Sequence, residues 1–299
     1  LAVQIPFVRD ITFEYGECDE LSPLIRRVVA RNPSAFTYLG TGTYIIGRGN
    51  VAVVDPGPLV EEHIDALMKA LEGETVTHIL ITHTHTDHSP AAAPLKKLTG
   101  AETYAFGPHG SGGGAEVKVE EDGDTDFVPD VMVAHGDIIE GDGWTIECVH
   151  TPGHTSNHMC FALREEKVLF SGDHVMGWST SVVSPPDGNM KQYMDSLKLL
   201  LARDDEVYWP THGPAITDPK PFVQAFIAHR EDREKQIVEQ LKAGHRTIAE
   251  MVPVMYAAVD KRLHPAAARS VFAHMEHLVE TGKVVCEGEP KLSSVYSLA

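Results

Sequence analysis

The sequence predicts an α+β protein, a large domain of mixed strands and helices followed by a small winged-helix-like domain. Two observations point there. Up to Pro221, short β-prone runs and amphipathic helices alternate without the steady βαβ rhythm of a doubly wound sheet; two mixed sheets sandwiched between helices fit that order equally well. After Pro221, three helical stretches precede a strand–turn–strand pattern, the order of a winged helix. A chain of 299 residues, 42% hydrophobic and 23% charged, has the volume for one large core and a smaller one. The expected division is 1–232 for the large domain and 233–299 for the tail.

The first β-prone runs are 35–38, 43–47 and 51–54, punctuated by Gly40, Gly42 and Gly49 and closed by the turn Asp55-Pro56-Gly57-Pro58. Residues 60–72 repeat apolar side chains at helical spacing, with Gly73 as cap. Residues 77–82 read as a buried strand, 90–98 as a helix and 103–106 as a strand. The glycine-rich run 110–114 and the acidic residues after it match no phosphate-binding loop and read as a flexible surface excursion. Strands resume at 144–149, 159–163 and 168–171, a helix follows at 193–202 and a strand at 206–209. In the tail, 222–243, 247–256 and 265–280 read as helices, and 284–297 as a hairpin around Gly288-Glu289-Pro290.

Composition narrows the function. With 43 acids against 25 Lys and Arg, a net charge of −18 argues against a chain whose main task is wrapping nucleic-acid phosphates. The excess is uneven: residues 116–147 hold eleven acids and one base, Lys118, whereas 235–299 hold eight bases and seven acids. Cys18, Cys148, Cys160 and Cys286 show no C-x-x-C spacing, as expected of reduced thiols in the cytoplasm. No apolar run is long enough to span a membrane, and residues 1–10 lack a basic flank ahead of an apolar stretch. Neither a membrane partner nor a secretory signal is expected.

The 17 histidines are the anomaly. Directly after the predicted strand at 77–82 stands His83-Thr84-His85-Thr86-Asp87-His88. On a loop leaving a strand, His83 and His85 can face one side while Asp87 and His88 turn to an adjacent position. Imidazoles and carboxylates suit Zn²⁺, Fe²⁺ or Mn²⁺. Four potential ligands in six residues are too many for one tetrahedral ion with an open position, and natural for two ions side by side. Three further candidates each follow a predicted strand: His154 in Thr151-Pro152-Gly153-His154-Thr155, Asp173 in Ser171-Gly172-Asp173, and His212 in Pro210-Thr211-His212-Gly213-Pro214.

The string and its three partners resemble the metallo-β-lactamase-fold hydrolase superfamily, in particular its glyoxalase II-like branch. That resemblance implies an αββα sandwich with the site at one edge and two divalent metal ions, zinc first, with iron or manganese as alternatives. It implies that His83, His85 and His154 hold the first ion, that Asp87, His88 and His212 hold the second, and that Asp173 bridges them. Asp55 resembles the acid of the superfamily's first motif, which supports ligand histidines from behind. The tail, with Tyr193-Met194-Asp195-Ser196-Leu197 and Ile227-Ala228-His229-Arg230-Glu231-Asp232-Arg233-Glu234 ahead of it, is similar to a subgroup of bacterial hydrolases and the mitochondrial beta-lactamase-like endoribonuclease.

Two such cations lower the pKa of water, so that hydroxide attacks a carbonyl or phosphoryl centre near neutral pH. Asp87 is the residue expected to orient that hydroxide and move its proton. The leading substrate class is a small ester, thioester or lactone; the alternative is single-stranded RNA. The helix at 265–280 carries Arg269 as its one Lys or Arg, so the tail reads as a packing or homodimerisation module rather than a base-reading one. Tyr193 and the loop 184–189 are candidates for the substrate pocket, against the reading of a core tyrosine and a solvated loop. His158 and His174 read as local hydrogen-bonding or surface groups, and Phe106 and His109 are weaker candidates.

Overall fold

The computed structural model describes residues 3–110 and 123–299. Most of the glycine-rich run and the start of the acidic stretch lie outside these residues. The first sheet is built from β1 (Cys18–Glu20), β2 (Ile25–Val29), β3 (Gly42–Ile46), β4 (Asn50–Val54), β5 (Thr75–Leu80), β6 (Glu102–Ala105) and β7 (Val131–Met132), in that order. Its first four strands run antiparallel, and β4 to β7 run parallel. The second sheet holds β8 (Ile138–Glu140), β9 (Thr145–His150), β10 (Met159–Leu163), β11 (Val168–Gly172) and β12 (Val207–Pro210), in the order β12-β11-β10-β9-β8. β11 and β12 are parallel and the remaining pairs antiparallel.

Alternation along the strands sets the layers. In β3, Tyr44 and Ile46 face the second sheet, meeting Ile146, Phe161 and Phe170, while Ile45 faces the other way. There it packs, with Val51, Val53 and Ile79, under Leu67 of α1 (Glu61–Ala70) and Leu95 of α2 (Ala92–Thr99). The outer face of the second sheet, with Val149, Ala162 and Leu169, is covered by Tyr193 and Leu197 of α3 (Met190–Leu201) and by Phe222, Val223 and Phe226 of α4 (Pro219–Lys242). Helices, sheet, sheet, helices is the expected sandwich.

The tail has its own core. Ile237 and Leu241 of α4 pack with Ile248 and Met251 of α5 (Ile248–Met255), Val271 and Met275 of α6 (His264–Glu280), and Val284 and Tyr296 of the hairpin β13 (Val284–Cys286) and β14 (Tyr296–Leu298). Thr247 and Glu250 close a reciprocal capping box at the start of α5. The division expected after residue 232 falls inside α4, which serves both cores.

Glu234 pins the tail to α4. It accepts from His277 Nδ1 at 2.5 Å and lies 3.4 Å from Lys283 Nζ and 3.7 Å from His274 Nδ1. Burial pushes its carboxyl up, but His274 and His277 outweigh that and hold it well below the usual carboxylate range. A depressed folded-state pKa contributes stability that is present above the ordinary carboxylate range and lost as the pH falls through the folded value. Glu234→Gln is expected to cost about 1–3 kcal/mol at neutral pH, and the gap from wild type to close in acid. Urea melts of the full chain at pH 7 and in acid measure both.

β2 went unpredicted because charge disguises it. β2 reads Ile-Arg-Arg-Val-Val, yet all five residues are buried. Arg26 Nη2 bonds Glu74 at 2.5 Å and the Gly47 carbonyl at 3.3 Å, and Arg27 Nη2 bonds Asp19 at 2.8 Å. The expected strand at 35–38 is a turn bounded by a single Ser34–Tyr38 bridge. No helix among the described residues is long and apolar enough to cross a membrane. All four cysteines are free thiols.

Candidate metal centre

The C-terminal ends of β4, β5, β9, β11 and β12 point to one edge of the sandwich, and the chain leaves each through a residue singled out in the sequence. The two sheets are stitched together at this edge. Tyr44 OH donates to the Pro210 carbonyl at 2.6 Å, Met159 N–H to the Thr82 carbonyl at 2.7 Å, and Gly42 N–H to the Thr211 carbonyl at 2.8 Å. A loop residue here therefore stands on a fixed base.

All seven predicted ligands converge. His83, His85 and His154 form one group, His83, His88 and Asp173 a second, and Asp87, His88 and His212 a third, with ligand atoms in each group within 4.8 Å of one another. His85 Nδ1 lies 2.9 Å from His83 Nε2 and 3.1 Å from His154 Nε2. One ring nitrogen carries either one proton or one lone pair, so it cannot satisfy both neighbours by hydrogen bonding. Asp173 stands between the groups, with Oδ2 3.7 Å from His88 Nε2 and 3.8 Å from His154 Nε2, and Oδ1 3.5 Å from His212 Nε2. His212 Nε2 is 3.0 Å from Asp87 Oδ2. Among the described residues, the buried His88 Nε2 and Asp173 Oδ1 find no hydrogen-bond partner. Converging nitrogens and unpaired buried acceptors fit divalent cations, and borderline imidazole with hard carboxylate suits zinc, iron(II) or manganese(II).

Electrostatics divides the cluster in two. Burial, together with His88 and other imidazoles nearby, pushes His83 well below the ordinary histidine range, and burial and His154 do the same to His85. Both rings are held in the neutral form that ligates metals. At His88 and His212 burial works in the same direction, but the carboxylates of Asp87 and Asp173 overcome it; His88 is held well above the ordinary range and His212 is pushed up to about 10. Reciprocally, burial would raise Asp87 and Asp173, while His88 and His212 hold both well below the carboxylate range.

Asp55 lies behind the ligands, fully buried and with a left-handed φ of 46°. Its carboxylate accepts from Thr82 N at 2.8 Å, Thr82 Oγ1 at 2.7 Å and Thr211 Oγ1 at 3.0 Å, and it lies 2.9 Å from His88 Nδ1. It therefore ties the residues preceding His83 and His212 directly to His88. His154 and His212 turn their other ring nitrogens to the carbonyls of Val182 at 2.6 Å and Gly40 at 3.2 Å. Such partners fix ring orientation and tautomer. Gly153, before His154, has φ 140°, and a Cβ there would lie 2.3 Å from Tyr193 Cα, so only glycine fits.

Several supporting residues had no clear sequence signal. His158 is fully buried rather than on the surface: Asp173 N–H donates to its Nε2 at 3.2 Å, which leaves its Nδ1 to donate to Thr151 Oγ1 at 2.9 Å. Asn157 Nδ2 donates to Thr84 Oγ1 at 2.9 Å and to the Gly107 carbonyl at 3.2 Å. A threonine directly precedes His83, His85 and His212, a repetition that could have pointed to Thr82 and Thr211. His109 Nδ1 reaches Thr84 Oγ1 at 2.9 Å, and Phe106 stacks on His150 at 3.8 Å.

Tyr193, a candidate for the substrate pocket weighed against a core tyrosine, stands in the core: it is wholly buried, and its hydroxyl donates to the His174 carbonyl at 2.8 Å. The Arg230 guanidinium covers its ring at 5.1 Å, and His174 packs beside it at 4.7 Å. It supports the loop after Asp173 from the core. In the loop 184–189, Asp187 accepts from Ser156 Oγ at 2.6 Å, and Asn189 caps α3 by accepting from Gln192 N.

Comparison with known proteins agrees with this geometry. Residues 38–212 match the model of the metallo-beta-lactamase superfamily, and residues 247–291 that of the beta-lactamase-associated winged helix domain. The lactamase-like protein adaB of Aspergillus niger is 29% identical, over 97% of this chain and 94% of its own. The atrochrysone carboxyl ACP thioesterase of Aspergillus terreus is 30% identical, over 81% of this chain and 74% of its own. Among solved structures, a beta-lactamase domain protein from Burkholderia ambifaria superposes with a TM-score of 0.79 at 21% identity, covering 97% of this chain and 96% of that one. The chain is a hydrolase that belongs to the metallo-beta-lactamase superfamily, with a beta-lactamase-associated winged helix domain behind the catalytic fold.

Proposed function

We propose that the protein hydrolyses thioesters, using two divalent metal ions held by His83, His85 and His154 on one side and Asp87, His88 and His212 on the other, with Asp173 between them. The observation that carries this reading is the convergence of all seven side chains at one sheet edge. The thioesterase names of relatives such as that of Aspergillus terreus favour thioesters among acyl substrates. Divalent cations supply Lewis acidity there: they make water nucleophilic near neutral pH and stabilise charge that develops on a carbonyl oxygen. Zinc is the first candidate. The ligand set is that of a glyoxalase II-like site.

The chain's own residues do the rest. The Asp87 side chain is partly exposed, at 18%, against 3% for Asp173, so a water at the mouth can reach it. It orients that water and takes its proton, held in the ionised form by His212 and His88. Asp173, deeply buried, carries no proton and fixes the spacing between the two groups. Asp55, Val182 and Gly40 keep the imidazoles in register.

Nothing in α6 favours the RNA alternative: Arg269 is its only Lys or Arg. The test is a substrate panel of acyl thioesters, lactones and a labelled unstructured RNA, run on metal-loaded protein and on Asp87→Ala. Thioester cleavage that falls about 10²–10⁴-fold in the variant is expected, on the scale of removing a proton-transferring group. Cleavage of RNA without thioester turnover, or full activity in Asp87→Ala, would overturn it.

A further inference from the structure

The loop after Asp173 carries the carbonyl that aims one of the ligands, yet it has no regular structure of its own. Among the described residues, 178–183 lie outside every helix and strand and make no backbone–backbone hydrogen bond. The Val182 carbonyl nevertheless takes His154 Nδ1 at 2.6 Å. A carbonyl can orient an imidazole only if its own direction is fixed. Val183 is buried in the apolar layer with Tyr193 of α3 and Phe222 of α4, which sets the depth of the segment but not the direction of its carbonyls.

That direction comes from α4. Its buried positions include Phe222, Phe226, Arg230, Glu234, Ile237 and Leu241, a stripe at helical spacing that is apolar at both ends and charged in the middle. Glu234 turns to His277 of α6. Arg230, one turn earlier, turns to the loop, and its Nη2 donates to the Ser181 carbonyl at 2.5 Å. Ser181 Oγ donates in turn to the His174 carbonyl at 2.7 Å, which the Tyr193 hydroxyl also reaches. Two consecutive carbonyls thus have linked tasks: that of Ser181 is held by Arg230, and that of Val182 holds His154.

Packing alone does not account for an arginine here. Arg230 is almost fully buried, its Nε has no partner, and among the described residues no carboxylate pairs with it. Its guanidinium lies over the Tyr193 ring at 5.1 Å. Methionine would fill comparable space without taking a charge out of water. What methionine lacks is a set of directed N–H groups that grip a carbonyl.

We propose that Arg230 is a positioning residue of the metal centre: from α4 it fixes the Ser181 carbonyl, and through it the Val182 carbonyl that aims His154 at its ion. This rests on the proposal that the seven side chains hold metal.

The test titrates the chelator-stripped full chain with cobalt(II), whose visible absorption bands report ligand geometry. Wild type is compared with Arg230→Met, Arg230→Lys and Val223→Ala. Val223 packs in the same apolar layer from α4, so Val223→Ala controls for lost stability. Arg230→Met is expected to bind one of its ions about 10–100-fold more weakly, the loss typical of an outer partner, and with altered bands. Arg230→Lys keeps a donor for the Ser181 carbonyl and should recover part of that loss. Val223→Ala should melt earlier yet keep wild-type affinity and bands. In Arg230→Met, kcat for an acyl thioester should fall with KM nearly unchanged.

Wild-type cobalt binding in Arg230→Met, or an equal loss in Val223→Ala, overturns the proposal. So does Arg230→Lys that binds no better than Arg230→Met. If Arg230→Met does not fold, Arg230→Lys against Val223→Ala decides: weaker binding in Arg230→Lys alone supports the role, and wild-type binding there overturns it. Arg230-dependent cobalt binding without hydrolysis of any thioester would sink the thioester reading and support the role of Arg230. Thioester turnover with cobalt binding indifferent to Arg230 would sink that role and spare the hydrolase reading.

Discussion

Asp173→Ala is expected to lower thioester turnover by about a thousandfold or more, the scale on which a central electrostatic element of an active site acts, and to reduce the metal bound per chain. Among the described residues, no other acid stands between the ligand groups. Its two oxygens face His88, His154 and His212 from within the cluster, and its backbone N–H is fixed by His158. Asp87, the other carboxylate of the site, sits at the mouth beside His212. Without Asp173, the five imidazoles would share the cluster with one carboxylate among the described residues, Asp87, so a second cation would be poorly neutralised. The fold is expected to survive, because the Asp173 side chain contacts ligand histidines rather than the apolar layers. Metal analysis and circular dichroism of the purified variant separate loss of metal from loss of fold. Turnover within tenfold of wild type would contradict the role.

Asp55→Ala should act on two readouts at once, stability and metal affinity. Four groups converge on this buried carboxylate: Thr82 N, Thr82 Oγ1, Thr211 Oγ1 and His88 Nδ1. Alanine would leave three or more buried polar groups unpaired, each costing about 1–3 kcal/mol. Partial rearrangement should bring the total loss of stability to about 3–5 kcal/mol, the range of a broken buried network. Metal affinity should fall about 10–100-fold, since outer partners orient ligands. A thermal melt and a metal titration measure the two effects. If the melt moves while affinity does not, Asp55 supports the sheet edge and not the ligands.

How far the site was legible depended on how local its parts are. The His83–His88 string carries its meaning in six residues, and His154, Asp173 and His212 each stand just past a recognisable strand. The partners behind them are set by tertiary contacts that no spacing records. Asp55 reaches Thr211 across 156 residues, and His154 rests on Val182, 28 residues on. Tyr193 was ambiguous for the same reason: a tyrosine near a glycine- and proline-rich loop reads as a pocket or a core residue, and here its hydroxyl is used on the His174 carbonyl inside the core. The α+β order and the winged-helix tail were readable from pattern, because the amphipathic helices keep an apolar face and buried strands such as β10 and β11 show as short apolar runs. β2 was not, since Arg26 finds its carboxylate on Glu74, 48 residues away. The short strands β7 and β8 sit among acids, where alternation has too few residues to register.

The central claim is that these seven side chains hold two divalent ions which thioester hydrolysis requires. The most direct measurement strips the full chain with chelator and follows turnover of an acyl thioester as zinc is added back in substoichiometric steps, with bound metal counted by elemental analysis. Activity that is absent in the stripped protein and rises to a plateau at two ions per chain is the predicted result. Thioester turnover that persists in metal-free protein, or a plateau at one ion with the second without effect, would contradict it.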